Sequence, residues 1–221
     1  MGIPLPGRTD TEAPRQRLKP EALRLLPAVD PLQRHRIEAY VAGRFLLEHG
    51  AQLTRFLPML YGLVDAAGQL QGALGLRSAA EDTLFLERYL PQRVDRMMGR
   101  LIGHAPARSE LVEVGNLAAN GRGSARALIV LLTQELESLG LRWVTFTGTT
   151  ALVNSFRRLG IEPHALGLAD PLCLDEEERQ AWGHYYDCGP QVMAVSVEQA
   201  RAQLQRLRLW PAQVVERSDV H

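Results

Sequence analysis

The stretch Asn116-Leu117-Ala118-Ala119-Asn120-Gly121-Arg122-Gly123-Ser124-Ala125 sets two glycines and a run of small residues between a strand-like segment and a helical one. Small residues let the main chain come close to a ligand, and a helix that follows aims its unpaired N–H groups and positive dipole end at the same point. Such a turn suits a pyrophosphate or a phosphopantetheine phosphate. Arg122 or Arg126 can add a charge-assisted contact. The segment is not a P-loop, because no Gly-Lys-Ser/Thr follows. Nor is it the dinucleotide Gly-x-Gly-x-x-Gly, because Arg126 stands at the third glycine's place. The same residues also read as a tight strand-to-helix connection that holds nothing.

Just upstream, Glu110–Val114 reads as a strand in which Glu113 alternates with Leu111 and Gly115 and faces away from Val112 and Val114. A carboxylate in a central strand is costly to bury without a partner, which points to a polar cleft or an ion pair. Glu113 is therefore a candidate base or amine anchor, and Arg77 in the preceding hairpin is its candidate partner. A purely structural Arg77–Glu113 bridge is the competing reading. Burial would raise the carboxyl pKa and pairing would lower it. Asn116 either donates to an acceptor's carboxylate or satisfies backbone where the strand bulges. Trp182, Tyr185 and Tyr186 either line a ligand tunnel or lid, an acyl one under the resemblance given below, or form an ordinary hydrophobic cluster. His164 and His184 have no ligand spacing, and Cys188 has no evident activating base.

The elements that must position these groups follow from periodicity and punctuation. Asp30 and Pro31 open a helix reaching Gly50, with Ile37, Tyr40, Val41, Arg44 and Phe45 on its inner face. Pro58–Val64 and Leu70–Leu76 form a hairpin around Asp65-Ala66-Ala67-Gly68. Short helical pieces are expected at Leu84–Leu90 and Val94–Leu101. Ser124–Leu139 is a helix ended by Gly140. Trp143–Thr147 is a strand by residue type, and Thr150–Leu159 a helix stopped at Gly160. Ile161–Leu168 is a strand, Asp175–Trp182 an acidic helical run, Gln191–Val195 a last strand and Val197–Leu209 an amphipathic helix. The pattern predicts an α/β (α+β) domain over 30–210, with a mixed central sheet, an antiparallel hairpin in its first half and helices on both faces. Residues 1–29 read as a disordered leader and 211–221 as a flexible tail.

Composition narrows the function. The 221 residues carry 25 basic and 25 acidic side chains, so no bulk field selects nucleic acid or an anionic membrane. The arginines are spread rather than clustered. Two cysteines are too few for a disulfide scaffold and make no metal spacing, so no metal is expected. No apolar run approaches a membrane span, and the first twenty residues lack the apolar block of a signal peptide. A cytoplasmic location is the expectation.

Three family resemblances build on these residues. Asn120-Gly121-Arg122-Gly123-Ser124-Ala125 is similar to the acyl-CoA N-acyltransferase (GNAT) loop Gln/Arg-x-x-Gly-x-Gly/Ala, with Asn120 at its first place. In that fold a later helix carries Asn, then Tyr-x-x-x-Gly-Phe. Here Asn154 precedes Phe156-Arg157-Arg158-Leu159-Gly160-Ile161, so phenylalanine replaces the tyrosine that often protonates the leaving thiolate. Tyr61–Asp65, Gly72–Arg77, Leu84–Glu87 and Leu111–Val114 resemble the acyl-homoserine-lactone (autoinducer) synthases, whose strand arginine and glutamate match Arg77 and Glu113. That family's following serine and arginine are here Gly115 and Asn116, which weakens any transfer of S-adenosylmethionine as acceptor. A closer resemblance, over roughly 35–195, is to the bacterial thermostable hemolysins. It rests on Ala73–Ala79, Leu84–Leu90, Val112–Ala118, Phe146–Thr149, Asn154–Gly160 and Trp182–Asp187.

The resemblances imply acyl transfer from acyl-CoA or the phosphopantetheine of an acyl-carrier protein to a small amine. The central strands would splay, with the thioester in the gap, main-chain N–H groups near Leu117-Ala118 on its carbonyl and Asn120–Ala125 on the phosphates. Glu113, Arg77 and Asn116 would act on the acceptor, with Asn154 and Phe156 beside the donor. Two other readings stand: a membrane-active lytic protein, as the hemolysin name implies, and a binding module without chemistry.

Overall fold

The computed structural model describes residues 23–210. Its strands are β1 (Arg24–Pro27), β2 (Met59–Val64), β3 (Leu70–Ser78), β4 (Leu111–Ala119), β5 (Trp143–Gly148), β6 (His164–Leu168) and β7 (Gln191–Ser196). Its helices are α1 (Pro31–His49), α2 (Val94–Ile102), α3 (Arg122–Ser138), α4 (Thr150–Arg157), α5 (Glu176–Ala181) and α6 (Val197–Arg206). The strands form one sheet in the order β1-β2-β3-β4-β5-β7-β6. Every neighbouring pair is antiparallel except β4 with β5.

Local chemistry explains the element ends. Asp30 Oδ1 accepts from Gln33 N at 2.8 Å and Pro31 occupies the first turn of α1, whose far end closes on Gly50 at φ 66°. Ile37, Val41 and Phe45, four apart, are its buried stripe. One face of the sheet offers Leu74, Leu76, Val112, Val114 and Val144 to α3, α4 and α6. The other face packs α1 over Leu60, Ala73 and Ala118, and α2 over Leu111, Val192 and Ala194.

Several boundaries differ from the sequence reading. Arg24–Pro27, within the span expected to be a leader, pairs with β2 from Arg24↔Val64 to Pro27↔Tyr61. Residues 1–22 of that leader and the tail 211–221 lie outside the described residues. Residues 85–89 are a 3-10 turn, α3 starts at Arg122 rather than Ser124, and α6 stops at Arg206 rather than Leu209. β6 starts at His164, after Pro163, which has no N–H to lend a ladder.

Candidate functional site

β4 and β5 run in parallel register only from Leu111↔Trp143 to Val114↔Phe146. Beyond that point β4 follows β3 to Ala119 and β5 follows β7 to Gly148. The divergence coincides with a bulge, where Gly75↔Gly115 gives way to Ala73↔Ala118 and Asn116 takes φ 51°. Between the parted strands lies a cleft of about 550 Å³. Its walls combine the β4 edge, the first turns of α3 and α4, and aromatic rings from α1, the 85–89 turn and residues 182–186.

The glycine turn behaves as its residue types require. Gly121 sits at φ 85° and ψ −179°, a conformation a side chain would strain, and caps α3 without a side-chain bond. The first closed helical bond there is Ala125 N to Gly121 O at 3.1 Å, which leaves the earlier amides of the turn available. Gly121, Arg122 and Ala125 line the cleft with Leu117, Ala118 and Asn154. Arg122 and Arg158 at its mouth have no carboxylate partner among the described residues. Three expected contacts turn elsewhere. Asn120 bonds Gln71 at 3.2 Å, Ser124 turns its hydroxyl to Asn120 O at 3.3 Å, and Gly123 lies off the cleft wall. Phe156 is buried and stacked on Phe146 with ring centroids 5.0 Å apart, so it is core rather than cleft wall.

Glu113 is 5% exposed and reaches the cleft. Its Oε2 accepts from Phe85 N and its Oε1 from Leu86 N, both at 2.9 Å. Burial pushes its pKa above the usual carboxylate range, against the pull of those amides and of the Arg77 charge. The sequence left burial and pairing undecided, and burial wins. Arg77 stands opposite Glu113 in the β3–β4 register, yet no Arg77–Glu113 ion pair forms among the described residues. Its one side-chain hydrogen bond among the described residues is Nη1 to Thr83 O at 3.5 Å. Asn116 Oδ1 accepts from Leu57 N at 2.8 Å, so its carboxamide fastens the 51–58 loop at the bulge.

Trp182, Tyr185 and Tyr186 are both a packed cluster and cleft wall. Trp182 and Tyr185 rings lie 5.0 Å apart, and Tyr185 Oη donates to Thr147 O at 3.2 Å. The Tyr89 and Tyr186 hydroxyls bond to each other. Burial raises both, Tyr186 to about 12, so both are neutral at physiological pH. Sequence reasoning missed Tyr89, Arg44 and Arg158 in this wall, and missed Glu87, whose carboxylate takes Leu84 N, Val94 N and Arg108. Only Arg158, four residues after Asn154 on one helix face, could have been found from spacing.

The sequence family follows from residues 28–201, which match the thermostable hemolysins. The chain belongs to the thermostable hemolysin family. No curated protein is similar enough in sequence to stand as a relative. Among solved structures, this family member is similar to FeeM, an N-acyl amino acid synthase from uncultured soil microbes. The TM-score is 0.59 at 13% identity, over 84% of this chain and 96% of that one. TofI in an apo form gives 0.55 at 16% identity, over 82% and 96%. BjaI, a CoA-dependent acyl-homoserine lactone synthase solved with SAM and isopentyl-CoA, gives 0.52 at 11%, over 86% and 90%. At such identities the likeness is one of fold, and the hemolysin-family chain shares the fold of FeeM, TofI and BjaI. Among the described residues no helix is long and apolar enough to cross a membrane, and no group of His, Cys, Asp and Glu could hold a metal ion.

Proposed function

We propose that this protein is an N-acyltransferase of the GNAT type. It moves an acyl group from acyl-CoA or an acyl-carrier protein to an amine-containing small molecule by direct attack. The observation that carries this reading is the open cleft of about 550 Å³ where β4 and β5 part, a place that side chains would fill in an inert scaffold. The donor's phosphates would meet the free amides after Gly121 and the Arg122 and Arg158 charges. Its thioester carbonyl would lie against the β4 main chain at Leu117 and Ala118, whose N–H groups would steady the oxyanion. Glu113, with a carboxyl shifted upward by burial, would take the proton from the attacking nitrogen. Phe156 offers no acid, so the departing thiolate would draw its proton from water or from the Tyr89–Tyr186 pair.

The lytic reading finds less support. Val197, Ala200 and Leu204, the apolar stripe of α6, are already buried in the core beside α3. Calorimetry with octanoyl-CoA and free-thiol release over a panel of amines test the proposal. Thermal binding without thiol release from any amine would leave only a binding module, and dye leakage from liposomes without thioester binding would favour lysis.

A further inference from the structure

A second chamber of about 330 Å³ lies between residues 52–57 and the β4 residues Glu113, Gly115 and Asn116. It shares Phe85, Glu113, Gly115, Asn116 and Trp182 with the cleft, so the two spaces adjoin at Glu113. Resting on the acyl-transfer reading above, we propose that this chamber is the acceptor site and that it takes a small amine that also bears a carboxylate. The amine would lie against Glu113 and the carboxylate against Arg77.

The charges of the wall argue for that pairing of groups. Arg55 and Arg77 line it with Glu113, Asp175, Glu177 and Glu178, and Arg88 bonds both oxygens of Glu178 at 2.8 and 2.6 Å, so three cations stand to four carboxyl groups. Such a wall attracts an ammonium group and repels a molecule of net negative charge, a phosphomonoester included. Arg55 is committed to Glu178 at 3.3 Å, and Asp175 to the Glu178 amide at 2.8 Å. Arg77 is different. It is half-buried, has no carboxylate within 4.0 Å among the described residues, and makes one long bond to a carbonyl. Glu113, its cross-strand neighbour, has turned both oxygens to the Phe85 and Leu86 amides. A planar guanidinium left with free donors beside a chamber fits a carboxylate in bidentate fashion. A simple alkylamine would answer the acidic rim and leave Arg77 unpaired.

The transfer balances without a further reactant. The amine nitrogen forms a bond to the thioester carbon as the carbon–sulfur bond breaks. The ammonium gives one proton to Glu113 before it attacks, and the proton the nitrogen sheds on attack reaches the thiolate through solvent, so the products are an amide, a free thiol and one proton that Glu113 returns to solvent.

The test uses the full chain, octanoyl-CoA and matched acceptors: leucine, leucinamide and 3-methylbutylamine, with the same sets built on phenylalanine and glutamine. Thiol release and product mass are followed. A site built to bond a polar group rejects analogues that lack it. We expect at least one amino acid to exceed its amide and decarboxylated partners tenfold or more in kcat/KM. Arg77→Gln should cut that preference below threefold by raising KM for the acid, and Arg77→Lys should keep part of it. Equal use of the three acceptor forms, or a preference that survives Arg77→Gln, overturns the acceptor assignment and leaves acyl transfer standing. Absence of thiol release with every amine tested overturns acyl transfer, and the acceptor assignment with it.

Discussion

Glu113 holds the 85–89 turn through two backbone amides while burial disfavours its charge, and both effects can be measured separately. Glu113→Ala leaves two amides without acceptors, and each orphaned buried donor costs about 1–3 kcal/mol. Glu113→Gln keeps one acceptor oxygen and loses the other. The alanine variant should therefore be less stable than the glutamine variant by about 1–3 kcal/mol, or roughly 2–12 °C in Tm for a domain of this size. The pH dependence has a definite sign. With its folded pKa raised above the unfolded one, Glu113 contributes stability that is fully present below the ordinary carboxylate pKa. That contribution is lost as pH rises through the elevated folded value. Thermal unfolding by circular dichroism from pH 4 to 8 should show wild type losing stability relative to Glu113→Gln as pH rises. Each tenfold displacement in proton affinity is worth about 1.4 kcal/mol. An alanine variant as stable as the glutamine variant would refute the clamp. A wild-type-minus-glutamine difference that is flat, or that grows with pH, would refute the raised pKa.

Other outcomes follow from the same contacts. Gly121→Val forces a side chain to φ 85°, a strain of about 1–3 kcal/mol, and should also weaken CoA binding by calorimetry; unchanged affinity would remove the turn from the donor site. Phe156→Tyr puts a hydroxyl into the stack on Phe146 and should lower stability by about 1–3 kcal/mol without speeding thiol release; a faster enzyme would mean that this position does face the donor. Arg122→Glu with Arg158→Glu should cut CoA affinity tenfold or more at low salt and much less at high salt, and a salt-independent loss would speak against charge. Arg108→Ala strands the buried Glu87 and should cost about 3–5 kcal/mol in urea unfolding, so a loss under 1 kcal/mol would contradict the pairing. Burial pushes the Glu87 carboxyl up, but its bonds to Arg108 and two amides hold it below the usual range, so this contribution fades as pH falls.

What the sequence made legible was whatever is local. The β4 strand, the glycine turn and the helix after it are adjacent in the chain, and alternation alone placed Glu113 apart from Val112 and Val114. Pairings at long separation were not legible. Nothing in the Asn116 neighbourhood announces Leu57, which is 59 residues away, and nothing in Glu113 announces the amides of Phe85 and Leu86. Strand β1 has four residues ending in proline, too short for alternation to register, and it exists because β2 offers it an edge. The insertion of β7 between β5 and β6 is likewise a choice among edges that residue types do not encode. Arg77 was correctly placed beside Glu113, but whether the two would bond depended on competitors from a distant turn.

Residues 181–184 rest on the end of α1, where Gln52 N bonds Ala181 O at 2.7 Å and His184 N bonds His49 O at 2.8 Å. Gly183, at φ 53°, would bring a Cβ to 2.4 Å from His49 O, so the two backbones touch with no room for a side chain. Trp182, beside this seam, lines both the cleft and the second chamber, and Tyr185 lines the cleft. A single residue type at one seam thus sets the spacing between a helix end and a ring-bearing loop. Any methyl group there would have to be accommodated by moving the aromatic ceiling as a unit, and hydrogen exchange at Gln52 and His184 would register the shift before catalysis did.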